Sequence, residues 1–357
     1  MRFLIIQQKM VGDVLLSSIL CQHLKIHFPG SQVHYLINEN TVPVVEGNPY
    51  IDKFIIFSPS LRKNKLAFYK FLKSISKEKY DTVIDVYCKL ESNLISLFCN
   101  ASMKLSYRKW YSSFVYDQLL IRSRDENGPM GMAVQNRLEL LNPIIPKLKF
   151  SYLEPKIYLS ETEIREIKLM LTKRGVCSDK PIFMIGIQGS CPSKSYPLNY
   201  LAHIIDALSE NFDATILFNY LPNQKDKLIE LLDLCSENSR KSIMADIFCP
   251  DLRSFIALIS RCDGYIGNEG GASNISKALG VPNYSIFSPW ISKKAWLTFK
   301  DNTANQGVHL EDYIPEIGKM DKKARKENVH NLYQQFHPEL FIQHLLDFVQ
   351  FQILSNQ

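Results

Sequence analysis

Three short loops carry most of the side chains with which this sequence could do chemistry. In the first, Gln7-Gln8-Lys9-Met10-Val11-Gly12-Asp13, Gly12 permits a tight turn and Asp13 stands where a helix should begin. A carboxylate there can cap the helix by accepting its free amides, or it can act as a general base. Spacing alone leaves both roles open. The second loop, Gln188-Gly189-Ser190-Cys191-Pro192-Ser193-Lys194-Ser195-Tyr196-Pro197, offers small residues, hydroxyls and one ammonium group. Exposed amides and a lysine suit a phosphate, with Ser190 and Lys194 as candidate contacts. The G-K-[ST] ending of a P-loop is absent. In the third loop, Gly267-Asn268-Glu269-Gly270-Gly271-Ala272-Ser273-Asn274, two glycines at a helix start let a ligand approach the backbone. The helix N-terminus favours an anion. Glu269 can hydrogen-bond ribose hydroxyls or make a cap contact. None of the loops reads G-x-G-x-x-G, which argues against a nicotinamide-dinucleotide site. The chain has no D-x-D to hold a divalent cation.

Each loop has to be held between a strand and a helix. Phe3 to Ile6 is a short apolar run, and helical spacing follows from about Val14 to His27, ended by Pro29-Gly30. Further strands are expected over 33–37, 54–57 and 82–86, with a helix over 61–76. Residues 101–135 are less regular. There Tyr107, Trp110, Tyr111, Phe114 and Tyr116 mix with Lys104, Arg108, Lys109, Arg122 and Arg124. They read either as a strand and helix with aromatic core positions, or as a basic, aromatic surface for an anionic sugar acceptor. Gly128-Pro129-Met130-Gly131 marks a loop, and Pro143, Pro146 and Pro155 put a domain junction near residue 150. Ser160 and Glu163 form a capping box for a helix running to Arg174, with Gly175 as its terminator.

Beyond the junction the alternation resumes. Strands are expected over 181–187, 214–218, 242–245, 264–267 and 284–287, with helices over 198–208, 223–234, 252–262 and 272–279. Strands alternating with helices imply parallel β-α-β units. The pattern predicts two doubly wound domains in tandem with a cleft, and ligands at the carboxyl ends of the strands. After residue 300 it loosens. Lys319, Lys322, Lys323, Arg325 and Lys326 read as a solvated helix face or as a contact with an anionic membrane. A last helix spans about Pro338 to Leu354.

Composition excludes several classes. A length of 357 residues suits two domains, and 46% hydrophobic with 22% charged residues can bury a sizeable core, which excludes a disordered chain. No stretch approaches the 18 apolar residues of a membrane span, and the N-terminus lacks the features of a signal peptide, so a cytoplasmic protein is expected. A net charge of +6, spread along the chain, is too weak to argue for nucleic acid. Eight cysteines without any C-x-x-C read as free buried thiols. His23 and His27 share a helix face, but no acidic residue lies inside the pair to complete a metal site.

Gly12-Asp13 after an apolar first strand, followed by Glu46-Gly47-Asn48-Pro49-Tyr50-Ile51-Asp52, resembles the family 9 glycosyltransferases, among them the ADP-heptose:lipopolysaccharide heptosyltransferases. Residues 252–282, ending Ala278-Leu279-Gly280-Val281-Pro282, are similar to the family's second signature. Ser193-Lys194-Ser195-Tyr196-Pro197 resembles its Lys-x-Trp-Pro segment, with Tyr196 in place of Trp. The resemblance runs in order from residue 1 to about 290.

It implies a GT-B fold of two Rossmann-like domains facing a cleft, with a final helix crossing back to the first. The corresponding division is 1–155 for an acceptor domain, 156–335 for a donor domain and 336–357 for that helix. It also implies inverting, metal-independent transfer of a sugar, heptose from ADP-heptose, to a lipopolysaccharide-core or other surface-glycan acceptor. No cofactor is implied beyond the donor, and peripheral contact with the inner membrane face fits. Asp13 matches the family's catalytic base, with Lys9 and Gly12 on the acceptor loop. Ser190, Lys194, Gln224, Glu269, Gly270, Gly271 and Asn274 fall on donor-binding positions. Glu269 and Asn274 stand where the family has Asp and His, so hydrogen-bonding ability is kept and a titratable imidazole is lost. Two other readings remain: a GT-B nucleotide-sugar epimerase, and a non-catalytic sugar-nucleotide-binding protein.

Overall fold

The computed structural model describes residues 1–123, 130–146, 153–176, 179–220, 224–299 and 303–354. Arg124, Gly128, Pro129, Cys177 and Asn223 lie outside them. The chain forms two units, Met1–Tyr158 and Leu159–Gln357.

The first unit holds six strands, β1 (Arg2–Ile6), β2 (Gln32–Asn38), β3 (Lys53–Phe57), β4 (Lys79–Asp85), β5 (Asn100–Tyr107) and β6 (Gln118–Leu120). All pair in parallel in the order β3-β2-β1-β4-β5-β6. Central β1 is covered on both faces, so Phe3, Leu4, Ile5 and Ile6 are all buried. That is why it reads as a continuous apolar run rather than an alternation. The helix Val11–His27 follows it and buries Val14, Leu15, Leu16, Ile19, Leu20 and Leu24. The irregular stretch after residue 100 resolves into β5, β6 and the helix Met132–Glu139.

The second unit holds β7 (Ile182–Gly186), β8 (Thr215–Asn219), β9 (Gly264–Asn268), β10 (Asn283–Ile286) and β11 (Asn305–Val308). They too are all parallel, in the order β11-β10-β9-β7-β8. The sequence did not announce β11: Asn305-Gln306-Gly307-Val308 has one aliphatic residue and lies on the sheet edge. The strand expected at 242–245 does not form. Ser242 ends the helix Glu237–Ser242, and Ile243 makes a single bridge to Ile216. The last helix is broken into a 3-10 turn Pro338–Leu340, an α-helix Ile342–Phe348 and a wider turn Val349–Ile353. This terminal segment was expected to return to the first domain. Its Phe336, Phe341, Leu345, Phe348, Val349 and Ile353 lie in the core of the second unit, around Phe183, Tyr196 and Tyr284.

One device recurs at strand starts. Asp52, Asp81 and Asp263 accept the amides of Val33, Arg2 and Ile182 at 2.6, 2.7 and 2.7 Å. Asp52 also pairs with Lys25 at 2.7 Å. The motif ending in Asp52 therefore fixes the start of β2 against the preceding helix.

Candidate functional site

In an open parallel sheet, ligands bind at the carboxyl ends of strands where the strand order reverses. In the second unit that point lies between β7 and β9. The loop after β7 is Gln188–Pro197 and the loop after β9 contains Glu269-Gly270-Gly271, so two of the three sequence loops flank one switch point. In the first unit the reversal lies between β1 and β4, and the loop after β1 carries Lys9, Gly12 and Asp13.

Asn268 joins the two loops of the second unit. Its Oδ1 accepts the Tyr196 amide at 2.7 Å and its Nδ2 donates to the Gly186 carbonyl at 3.0 Å. Gly267 beside it has φ +154°, and a Cβ there would lie 2.8 Å from the Gly186 Cα and amide nitrogen. At Gly189 a Cβ would strike the Lys194 carbonyl, so that turn also requires glycine. Ser195 Oγ closes the turn, accepting from the Gly189 amide at 3.0 Å and donating to the Cys191 carbonyl at 3.0 Å. Tyr196 is buried, and its hydroxyl donates to the Phe336 carbonyl at 2.5 Å. It anchors the loop in the core. Ser190 is exposed and Lys194 half-buried, with Lys194 Nζ 5.6 Å from the centroid of Trp290. A cavity of about 930 Å³ opens beside the loop, lined by residues that include Gln188, Ser193, Tyr196, Tyr200 and Tyr333. That volume suits a ligand of nucleotide size. Gln224 stands at the N-cap of the helix Lys225–Leu234, beyond β8.

The helix Gly271–Ala278 has Gly270 as its N-cap, and a Cβ there would meet nothing within 4 Å, so the chain is uncrowded at that point. Asn274 Nδ2 donates to the Gly270 carbonyl at 2.8 Å, while its buried Oδ1 has no hydrogen-bond partner among the described residues. Glu269 is buried, and the opposing charge nearby is Lys277, two turns along the helix and 6% exposed. Burial lowers the Lys277 ammonium from its ordinary range to about 8, with Glu269 acting against that shift. The folded pKa thus lies below the unfolded one. Between the two values the unfolded chain binds more protons, so this group's contribution to stability rises with pH. From pH 7.5 to 9.5 the stability of the parent relative to Lys277→Met is expected to rise. Urea unfolding across that range measures it, and a flat difference would show that Lys277 does not titrate there.

In the first unit the helix begins at Val11, three residues earlier than expected, so Asp13 is not its N-cap. Asp13 Oδ2 accepts weakly from the Met10 amide at 3.4 Å, and Oδ1 pairs with Arg137 Nη2 at 2.5 Å. Arg137 reaches it from the helix Met132–Glu139, held by hydrogen bonds from Nε to Ser17 Oγ at 2.9 Å and from Nη1 to the Ala133 carbonyl at 2.6 Å. Arg137 was not singled out in the sequence, because 124 residues separate it from its partner. Lys9 is half-buried and its carbonyl accepts from Gln7 Nε2 at 2.6 Å; Gly12 is buried within the helix. At the end of β4, buried Asp85 accepts from the Cys88 amide at 2.8 Å and the Tyr116 hydroxyl at 2.5 Å. Burial raises its pKa.

The aromatic stretch divides between core and surface. Tyr107 and Tyr116 are buried, whereas Trp110 is 90% and Phe114 78% exposed. Lys109 lies 5.6 Å from the ring of Tyr111, and Arg122 stacks 4.0 Å from that of Tyr107. The expectation of buried thiols holds for Cys21, Cys88, Cys99, Cys235 and Cys262; Cys249 is half-buried and Cys191 exposed. Among the described residues no three His, Cys, Asp or Glu side chains gather as a metal site, and no helix is long and apolar enough to cross a membrane.

Two Rossmann-like units, each with a parallel sheet and a polar loop at its switch point, make this a GT-B-type fold. Residues 68–322 match the sequence profile of glycosyltransferase family 9 (heptosyltransferase), and the chain belongs to that family of transferases. It is 23% identical over 301 residues to lipopolysaccharide heptosyltransferase 1 of Campylobacter coli, covering 80% of this chain and 84% of the relative. A glycosyl transferase of family 9 from Veillonella parvula superposes with a TM-score of 0.72 at 16% identity, covering 94% of this chain and 97% of that one. The ADP-heptose lps heptosyltransferase II of E. coli gives 0.68 at 16% identity, covering 94% and 99%. These two likenesses concern the fold.

Proposed function

We propose that the protein transfers heptose from ADP-heptose to a lipopolysaccharide-core acceptor, inverting the anomeric carbon and using no metal ion. The observation that carries this reading is the pair of loops at the second switch point, tied by Asn268, with Lys194 on one and an uncrowded helix start on the other. The relatives' names supply the sugar and the pathway: lipopolysaccharide for the Campylobacter coli protein, ADP-heptose for that of E. coli.

In this reading Asp13 accepts the proton of the acceptor hydroxyl as its oxygen attacks the anomeric carbon. Arg137 holds the carboxylate in place. The bond from that carbon to the diphosphate breaks, and the electron pair leaves on a diphosphate oxygen. Lys194 and the amides after Gly270 stabilise the growing charge. Glu269 and Asn274 form the wall of the donor site, Ser190 and Gln224 flank it, and Lys9 and Gly12 shape the acceptor side. The glycolipid acceptor is met at the membrane, where exposed Trp110 and Phe114 beside Arg108 and Lys109 fit an anionic lipid surface.

Calorimetry with ADP tests the donor half. ADP is expected to bind equally with and without EDTA. Lys194→Ala should weaken ADP by about ten- to a hundredfold, the worth of a charge-assisted contact, and adenosine little. A loss well beyond tenfold on chelation would overturn the metal-free reading. Binding of GDP or UDP but not ADP would overturn the donor.

A further inference from the structure

Trp290 stands at the centre of three lysines drawn from two other parts of the chain. Its Nε1–H donates to the Ser193 carbonyl at 2.9 Å, and Ser288 Oγ donates to the same oxygen at 2.7 Å. The segment after β10 is thereby fixed to the turn that carries Lys194, whose Nζ is 5.6 Å from the ring centroid. From the other side the helix Lys322–Glu327, capped by Asp321, brings Lys322 Nζ to 5.5 Å and Lys326 Nζ to 5.1 Å of the same centroid. The basic run that read as a solvated face thus turns two of its lysines toward the donor loop.

This arrangement is costly as it stands. Like charges four residues apart weaken a helix, and one indole attracts an exposed ammonium by only about 0.5–1 kcal/mol. Among the described residues no carboxylate lies within 4.0 Å of these three ammonium groups. The nearby acids are engaged elsewhere: Asp312 with Lys293 at 2.6 Å, Glu311 with Arg325 at 3.8 Å, Glu327 with Lys323 at 3.9 Å, and Asp321 in its cap. Three positive groups around one ring are left to be balanced by an incoming anion.

We propose that Lys322 and Lys326 join Lys194 around Trp290 in one polyanion site that takes the diphosphate of a nucleoside diphosphate. The assignment to a diphosphate rests on the donor reading above. The two outer lysines supply positive charge to the leaving diphosphate, the part a divalent cation plays in sites that hold one.

The test is calorimetry of inorganic pyrophosphate, ADP and adenosine with the full-length parent and the Lys322→Ala/Lys326→Ala double variant. Both positions are exposed and their like charges oppose the helix, so the melting temperature should not fall. Pyrophosphate and ADP are expected to bind the variant about ten- to a hundredfold more weakly, and adenosine equally. Unchanged pyrophosphate and ADP affinities would overturn the proposal, as would a parent that binds neither. If the parent binds pyrophosphate, the variant loses it, and no ADP-sugar is consumed, the polyanion site stands and the transferase assignment falls.

Discussion

With Asp13 as the proposed base, Asp13→Asn is expected to lower sugar transfer by about 10²–10⁴-fold, the usual worth of a general base, while ADP affinity stays at the parental value. Asn has the size of Asp, and its Oδ1 can still accept from Arg137 Nη2, which stands 2.5 Å from Asp13 Oδ1. Arg137 also keeps Ser17 and the Ala133 carbonyl. The ion pair becomes a hydrogen bond from the charged guanidinium to a neutral amide oxygen, at a cost of about 1–2 kcal/mol in stability. What Asn cannot do is take a proton from an acceptor hydroxyl. Turnover, melting temperature and ADP affinity are measured together on ADP-heptose and a lipopolysaccharide-core acceptor. Near-parental turnover would make Asp13 a partner for Arg137 and nothing more.

Trp110→Ser combined with Phe114→Ser should abolish most binding to vesicles containing phosphatidylglycerol. The two rings are 90% and 78% exposed, so their removal leaves the core unchanged. If about 50 Å² of each enters the lipid interface, the loss is about 2–3 kcal/mol, or some 50-fold in partition. Arg108 and Arg122, both exposed, should make parental binding fall with salt and with neutral lipid. Cosedimentation reads the outcome. Equal sedimentation of parent and double variant would remove this loop from any membrane contact.

The fold was legible where strands are covered on both faces. Phe3–Ile6 and Ile182–Ile185 announce themselves as unbroken apolar runs, because a sheet flanked by helices has no polar side. Strand β11 was not, since an edge strand of Asn, Gln, Gly and Val carries neither run nor alternation. Ser242–Ala245 misled for the opposite reason: three residues with strand-like character sit at a helix end and touch the sheet once. The terminal segment has apolar residues at helical spacing, but spacing cannot say which core they enter.

The candidate site was legible as loops and not as partnerships. Gly189 and Gly267 lie in the loops the sequence marks, and the structure shows that the backbone needs both bare. Arg137, Lys277 and Trp290 were passed over, since what distinguishes each is a neighbour brought by the fold: Asp13, Glu269 and three lysines. Lys322 and Lys326 are exposed, as a solvated face requires, but their approach to Trp290 was missed on the same ground. No local pattern reports that an indole more than thirty residues upstream lies beside them.

Asn268 has a consequence for the thermodynamics of recognition. Its side-chain amide is engaged at both ends, by the Tyr196 amide on one loop and the Gly186 carbonyl at the root of the same loop, while its own backbone leads into the other. The two loops are therefore ordered relative to each other before any ligand arrives. Two free loops would each surrender conformational freedom on closing over a nucleotide, at about 1–2 kcal/mol for every residue fixed. Here that entropy was lost when the chain folded, so the binding energy of a ligand seated between these loops is not spent on assembling the site.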